Sequence, residues 1–145
     1  LREFGRRLRA TFDTDLAKGA SAEASSVRGG DPAYGAANVL DGDRNTYWCP
    51  DDGVTTPEIV LTLPGETTFD VVSLREHLPL GHRVDEWAMD RWTGEAWEEF
   101  ARGVSIGARR LWRGDPVTTE KVRLRIVKAA VCPALTELGL HFLAK

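Results

Sequence analysis

The first sixteen residues place Leu1, Phe4, Leu8, Phe12 and Leu16 at spacings of three and four, with Arg2, Arg6, Arg7 and Arg9 mostly between them. That is the period of one helical face. It predicts a short amphipathic helix whose stripe packs on a partner surface. Residues 19–30, rich in Ala, Ser and Gly, read as a leading strand and linker. Beyond Asn38 the period changes. Ile59, Leu61 and Leu63 alternate with polar or smaller residues, and Val122, Leu124 and Ile126 alternate with Lys121, Arg123 and Arg125. A period of two turns one strand face to a core and the other to water. Residues 69–77, 83–92, 96–101, 104–112 and 135–142 are further strand candidates, and Thr93-Gly94 reads as a hairpin turn between Trp92 and Trp97. Seven or eight short strands predict an all-β fold, a sandwich or a jelly roll.

Composition narrows the function classes. The chain has 145 residues, which fits one domain. Its 42% hydrophobic and 28% charged residues separate it from disordered sequences. A formal net charge of −3 lacks the basic excess of a nucleic-acid binder. No apolar run approaches the roughly 20 residues of a membrane span. The single methionine is Met89 and the chain opens on Leu1, so the expectation is a piece of a longer protein. Two cysteines, Cys49 and Cys132, make neither a disulfide framework nor a four-ligand zinc site. One bridge and two free thiols are both open.

The densest candidate chemistry is Asn38-Val-Leu-Asp-Gly-Asp-Arg-Asn-Thr-Tyr-Trp48. Asp41, Asp43, Asn45 and Thr46 surround Gly42 with oxygen donors, and a tight turn aims backbone carbonyls inward as well. Calcium takes six to eight such oxygens. An ordinary Asp-Gly turn accounts for the same residues. The adjacent carboxylates Asp51-Asp52 and Glu98-Glu99 do not define a glycosidase pair, which requires a separation across a substrate. His77, His82 and His141 accompany no nucleophile motif, and no glycine-rich phosphate loop is present. The chain is therefore expected to be non-catalytic. Of the five tryptophans, Trp48 is expected in the core. One of Trp92, Trp97 and Trp112 is the candidate for an exposed stacking surface.

The stretch from Ala37 to Trp48 resembles the signature of the coagulation factor V/VIII type C, or discoidin-like, domain. Three later stretches, Leu74-Arg-Glu-His-Leu-Pro-Leu-Gly-His-Arg-Val84, Gly103-Val-Ser-Ile-Gly-Ala-Arg-Arg-Leu111 and Cys132-Pro-Ala-Leu-Thr-Glu-Leu-Gly-Leu140, are similar to the C-terminal module of bacterial and plant α-L-fucosidases. The resemblance implies an eight-stranded jelly-roll β-sandwich over residues 17–145, with residues 1–16 as the helical tail of a preceding catalytic domain. It implies a structural calcium held by Asn38, Asp41, Asp43, Thr46, Thr136 and Glu137. It also brings Asp51, Asp52, Glu76, His77, His82 and Arg83 to one rim, with Arg83 as a hub among carboxylates. That rim would bind glycan, dock on the catalytic domain of the parent enzyme, or simply be solvated. Val131-Cys132-Pro133, where relatives place an aromatic, has none. The implied function is a non-catalytic accessory module of an α-L-fucosidase, or alternatively an autonomous lectin-like module for galactose- or fucose-type sugars. The same fold sets the loop after Trp48 beside the segment before the last strand, where Cys49 and Cys132 could meet.

Overall fold

The computed structural model describes residues 14–143. Residues 1–13, most of the expected leading helix, lie outside that range. Residues 14–20 form a turn, and Leu16 packs against the core while its N–H donates to the Leu140 carbonyl at 2.7 Å. This corrects the expectation that Leu16 faces a partner surface. Asp15 fixes the turn, because its Oδ1 accepts from the N–H groups of Ala17 and Leu140.

Six strands follow among the described residues: β1 (Ser21–Ala24), β2 (Glu58–Glu76), β3 (Val84–Trp92), β4 (Trp97–Val104), β5 (Arg110–Ala129) and β6 (Leu135–His141). All pairings are antiparallel, in the order β1-β2-β5-β3-β4, with β6 on β2. The two long strands explain why eight were expected. The register of β2 against β5 slips between Thr62 and Thr67, where Pro64 and Gly65 lie, and again between Phe69 and Val71. Proline cannot donate to a ladder, and bulges bend and twist a strand. The first half of β2 and the last half of β5 therefore belong with β1, β3 and β4. The other halves belong with β6. Counted as halves, the strands are the eight of a jelly roll, and residues of both halves share one core.

The alternation read from sequence sets that core. Ile59, Leu61, Val122, Leu124 and Ile126 are buried, along with Phe69, Leu74, Trp87, Met89, Leu135, Leu138 and Leu140. Full burial of one such side chain contributes roughly 1.5–3 kcal/mol. Trp48 is also fully buried, as expected, and its indole N–H donates to the Ser26 carbonyl at 3.0 Å. The expected strand over residues 104–112 is corrected. Val104 ends β4, Ser105 and Gly107 take φ of 53° and 66°, and β5 begins only at Arg110. The β3–β4 hairpin turns at Thr93-Gly94 as expected, with the Thr93 N–H donating to the Ala96 carbonyl at 2.9 Å.

Candidate functional site

The oxygen-rich turn is built by local hydrogen bonds. A short 3-10 helix, Ala36–Leu40, delivers the chain to Asp41, and Gly42 then reverses it at φ 74°. The side-chain amide of Asn38 donates to the carbonyls of Ala33 and Tyr47, both at 2.9 Å. Asp41 accepts from the Asp43 N–H at 2.8 Å and from the Thr46 hydroxyl. The Thr46 hydroxyl also lies 3.1 Å from the Asp43 carbonyl. From β6, the buried Thr136 hydroxyl reaches the carbonyls of Asp43 at 3.2 Å and Thr46 at 2.8 Å. A reciprocal backbone pair between Trp48 and Leu135 holds the turn to β6.

Carboxylate, carbonyl and hydroxyl oxygens of Asp41, Asp43 and Thr46 thus converge within hydrogen-bond reach of two threonine hydroxyls. That donor set fits a hard cation. Glu137 stands apart from it. Its carboxylate accepts from Ser73 Oγ and, at 3.2 Å, from Arg75 Nε. Among the described residues, no three His, Cys, Asp or Glu side chains gather as a metal-binding group.

The expected rim divides into a buried part and an open part. Glu76 is corrected from rim to interior, with a side chain 1% exposed. Its Oε1 accepts from the N–H groups of Arg83 at 2.7 Å and Val84 at 3.0 Å, and its Oε2 accepts from Gly107 N–H at 2.8 Å. A buried carboxylate needs such partners, and the loop before β3 supplies them. The hub expected at Arg83 is corrected as well. Its guanidinium donates to the carbonyls of Leu80 at 3.1 Å and Cys132 at 2.9 Å, because Glu76 is occupied by backbone amides. His82 stays open, 70% exposed, with Nδ1 3.8 Å from Glu76. The His77 ring stacks on Tyr47 at 4.2 Å and 15°, and its buried Nδ1 has no hydrogen-bond partner.

Asp51 and Asp52 sit on the open part. Asp51 accepts from Gly29 N–H at 2.7 Å, and Asp52 pairs with Arg28. Arg28, Tyr34, Tyr47, Asp52, Leu80, Arg83, Val131 and Cys132 line a surface depression of about 420 Å³. Tyr34 and Tyr47 stand 5.6 Å apart, centroid to centroid, tilted by 54°. Burial, Tyr34 and Cys49 together push the Tyr47 phenol above its usual range, and Arg28 and Arg83 oppose them. The depression combines guanidinium and carboxylate groups with flat apolar rings, which is the chemistry that grips hydroxyls and stacks on a sugar face. Arg28, Tyr34 and Tyr47 were not among the residues expected from sequence. Tyr47 stood inside the oxygen-rich motif, and nothing in the sequence of residues 28–34 marks them as facing it.

Trp92, Trp97 and Trp112 are only half-buried. Trp92 meets Trp97 edge-on at 5.3 Å, the Arg123 guanidinium lies 4.7 Å over Trp97, and Trp112 meets Phe100 edge-on at 5.2 Å. All three are engaged in cross-strand packing. No helix among the described residues is long and apolar enough to cross a membrane.

Comparison with known proteins places this geometry. A family model described as the F5/8 type C domain matches residues 21–137. Alpha-L-fucosidase 1 of Arabidopsis thaliana is 30% identical over 145 residues, covering 97% of this chain and 29% of that protein. A Ruminococcus gnavus GH29 fucosidase in complex with fucose superposes with a TM-score of 0.90 at 34% identity, over 99% of this chain and 29% of its own. The Clostridium perfringens module CpGH89CBM32-5, in complex with GalNAc-β-1,3-galactose, shares the fold with a TM-score of 0.77 at 16% identity, over 88% of this chain and 99% of its own. The chain spans less than a third of the fucosidases it matches.

Proposed function

The chain belongs to the F5/8 type C domain family, and on that premise we propose that it is the non-catalytic accessory module of an α-L-fucosidase, holding fucosylated or galactosylated glycan near the catalytic domain. The observation that carries this reading is the depression in which Tyr34 and Tyr47 meet Arg28, Asp52 and Arg83. The tyrosine rings offer the aromatic surface that residues 131–133 lack. Arg28 and Arg83 supply fixed donors, and Asp52 supplies an acceptor, for sugar hydroxyls. Leu80 and Val131 give the apolar wall that a deoxysugar methyl group prefers.

Calcium belongs to the same reading as a structural ion. Asp41, Asp43 and Thr46 would hold it, with Asn38 and Thr136 at the edge of the turn. Glu137 would join only by exchanging Arg75 and Ser73 for the metal. When bound, the ion would pin the turn to β6 and so fix Tyr47, the residue that follows Thr46.

Calorimetric titration of the 145-residue chain with fucosylated and galactosylated oligosaccharides tests the proposal. Measurable affinity that falls at least tenfold in Tyr47→Ala supports it. Absence of binding across both sugar classes overturns the carbohydrate role. Docking on a catalytic domain is the second reading. The exposed Leu78, Leu80 and Val131 favour it, since an apolar rim suits a protein partner.

A further inference from the structure

Cys132 lines the depression and Cys49 is buried close to it, and the proposed sugar chemistry leaves both unused. Cys49 is 1% exposed and Cys132 is 6% exposed, and both are free thiols. Cys49 Sγ lies 3.4 Å from the Pro50 carbonyl and Cys132 Sγ lies 3.9 Å from Asp52 Oδ1, so both thiols face the same short loop. The surroundings hold them there. Cys49 follows Trp48, whose backbone pairs reciprocally with Leu135 at 2.8 and 3.0 Å, and its own N–H donates to the Tyr34 carbonyl at 3.3 Å. Cys132 sits three residues before Leu135. Arg83 Nη1 donates to its carbonyl at 2.9 Å and lies 3.5 Å from its sulfur.

We propose that Cys49 and Cys132 form a disulfide-forming dithiol at the depression, joining the loop after Trp48 to the segment before β6. Buried thiols that face the same loop, on segments registered by a backbone bridge, need little movement to reach bonding distance. Cys132 is the entry point, because it lines the depression while Cys49 is buried close to it. Burial first, and then Cys132, push the Cys49 thiol up to about 11, so Cys49 is a poor first nucleophile at neutral pH. The oxidant is a small-molecule disulfide. The Cys132 thiolate attacks one of its sulfurs, forming a mixed disulfide and releasing one thiol. Cys49, losing its proton to solvent, then attacks Cys132 Sγ and releases the second thiol. The two cysteines lose two electrons and two protons, and the small disulfide is reduced to two thiols.

The two residues enclose 82 others, so the bridge constrains the unfolded chain and raises the unfolding midpoint. It also fixes the carbonyl that anchors Arg83. The site itself does not depend on the carbohydrate reading, and its test involves no sugar. The folded 145-residue chain is incubated with oxidised glutathione, then quenched with acid and alkylated in denaturant. The expected result is no titratable thiol, a linked peptide pair containing Cys49 and Cys132, no retained glutathione, and a raised unfolding midpoint that dithiothreitol reverses. Cys49→Ala should stop at one glutathione adduct on Cys132. Two free thiols after prolonged incubation, or two glutathione adducts without a linked pair, overturn the proposal. Should Cys49→Ala fail to fold, the wild-type peptide map decides alone.

Discussion

Glu76 and Gly107 are joined in both directions. The Glu76 N–H donates to the Gly107 carbonyl at 3.0 Å, and the Gly107 N–H donates to the Glu76 carboxylate at 2.8 Å. With the amides of Arg83 and Val84 on its other oxygen, one buried carboxylate fastens the end of β2, the start of β3 and the turn before β5.

Glu76→Ala is therefore expected to cost about 3 kcal/mol or more, since hydrogen bonds to a charged group contribute roughly 1.5–3 kcal/mol each. Glu76→Gln should retain part of that, because its carbonyl oxygen still accepts while its NH₂ cannot. Urea denaturation of the three proteins checks the order. A wild-type midpoint in Glu76→Ala would return this residue to the solvated rim.

Gly103 offers a test of packing. A Cβ there would stand 2.5 Å from the Trp87 indole, which lies fully buried with its N–H on the Ser105 carbonyl at 3.1 Å. Gly103→Ala should destabilise by about 1–3 kcal/mol, the usual cost of overpacking. The red-shifted tryptophan emission that accompanies a displaced indole is the matching readout.

Asp90 sets an acid limit. Its side chain is 3% exposed, and burial alone would raise its pKa. The hydrogen bonds from Arg125 and Arg123, at 2.7 Å each, outweigh burial and hold the carboxyl below its usual range. A carboxylate with a lowered folded pKa contributes stability above the unfolded value of roughly 3.9, and that stability is lost as pH falls through the folded value. Thermal melts should thus lose midpoint below about pH 4. Asp90→Ala should flatten that slope while lowering stability at neutral pH by about 3 kcal/mol.

The calcium proposal is checked by linkage. Binding to the folded state alone raises the midpoint with metal concentration. Chelator-treated protein should gain thermal stability on calcium titration, and Asp41→Ala should gain none. An unchanged melt together with no bound metal by elemental analysis removes the ion from the account.

Legibility followed the physics of each feature. The strands of residues 58–63 and 121–126 were plain because a half-buried strand must alternate, and the turn at Thr93-Gly94 was plain because few residues suit it. The continuity of β2 through Pro64 was not legible, since a proline usually ends a strand and only the β5 partner shows the bulge. Glu76 looked like a surface acid because its three amide partners come from residues 83, 84 and 107. Tyr34 and Tyr47 were hidden for the same reason. Thirteen positions separate them, and only the fold brings both rings and Arg83 to one depression.

The two long strands also set the order in which a growing chain can fold. Thr62 of β2 waits for Lys121, and Leu74 waits for Leu138. A chain synthesised as far as Val104 can close the β3–β4 hairpin and pair β1 with β2, yet the other edge of β2 still lacks its ladder. Closing such distant contacts costs chain entropy before any burial repays it, which places folding among the slower topologies. β2 carries Ile59, Leu61, Phe69 and Leu74, and these apolar side chains wait for β5 and β6 before their core can close.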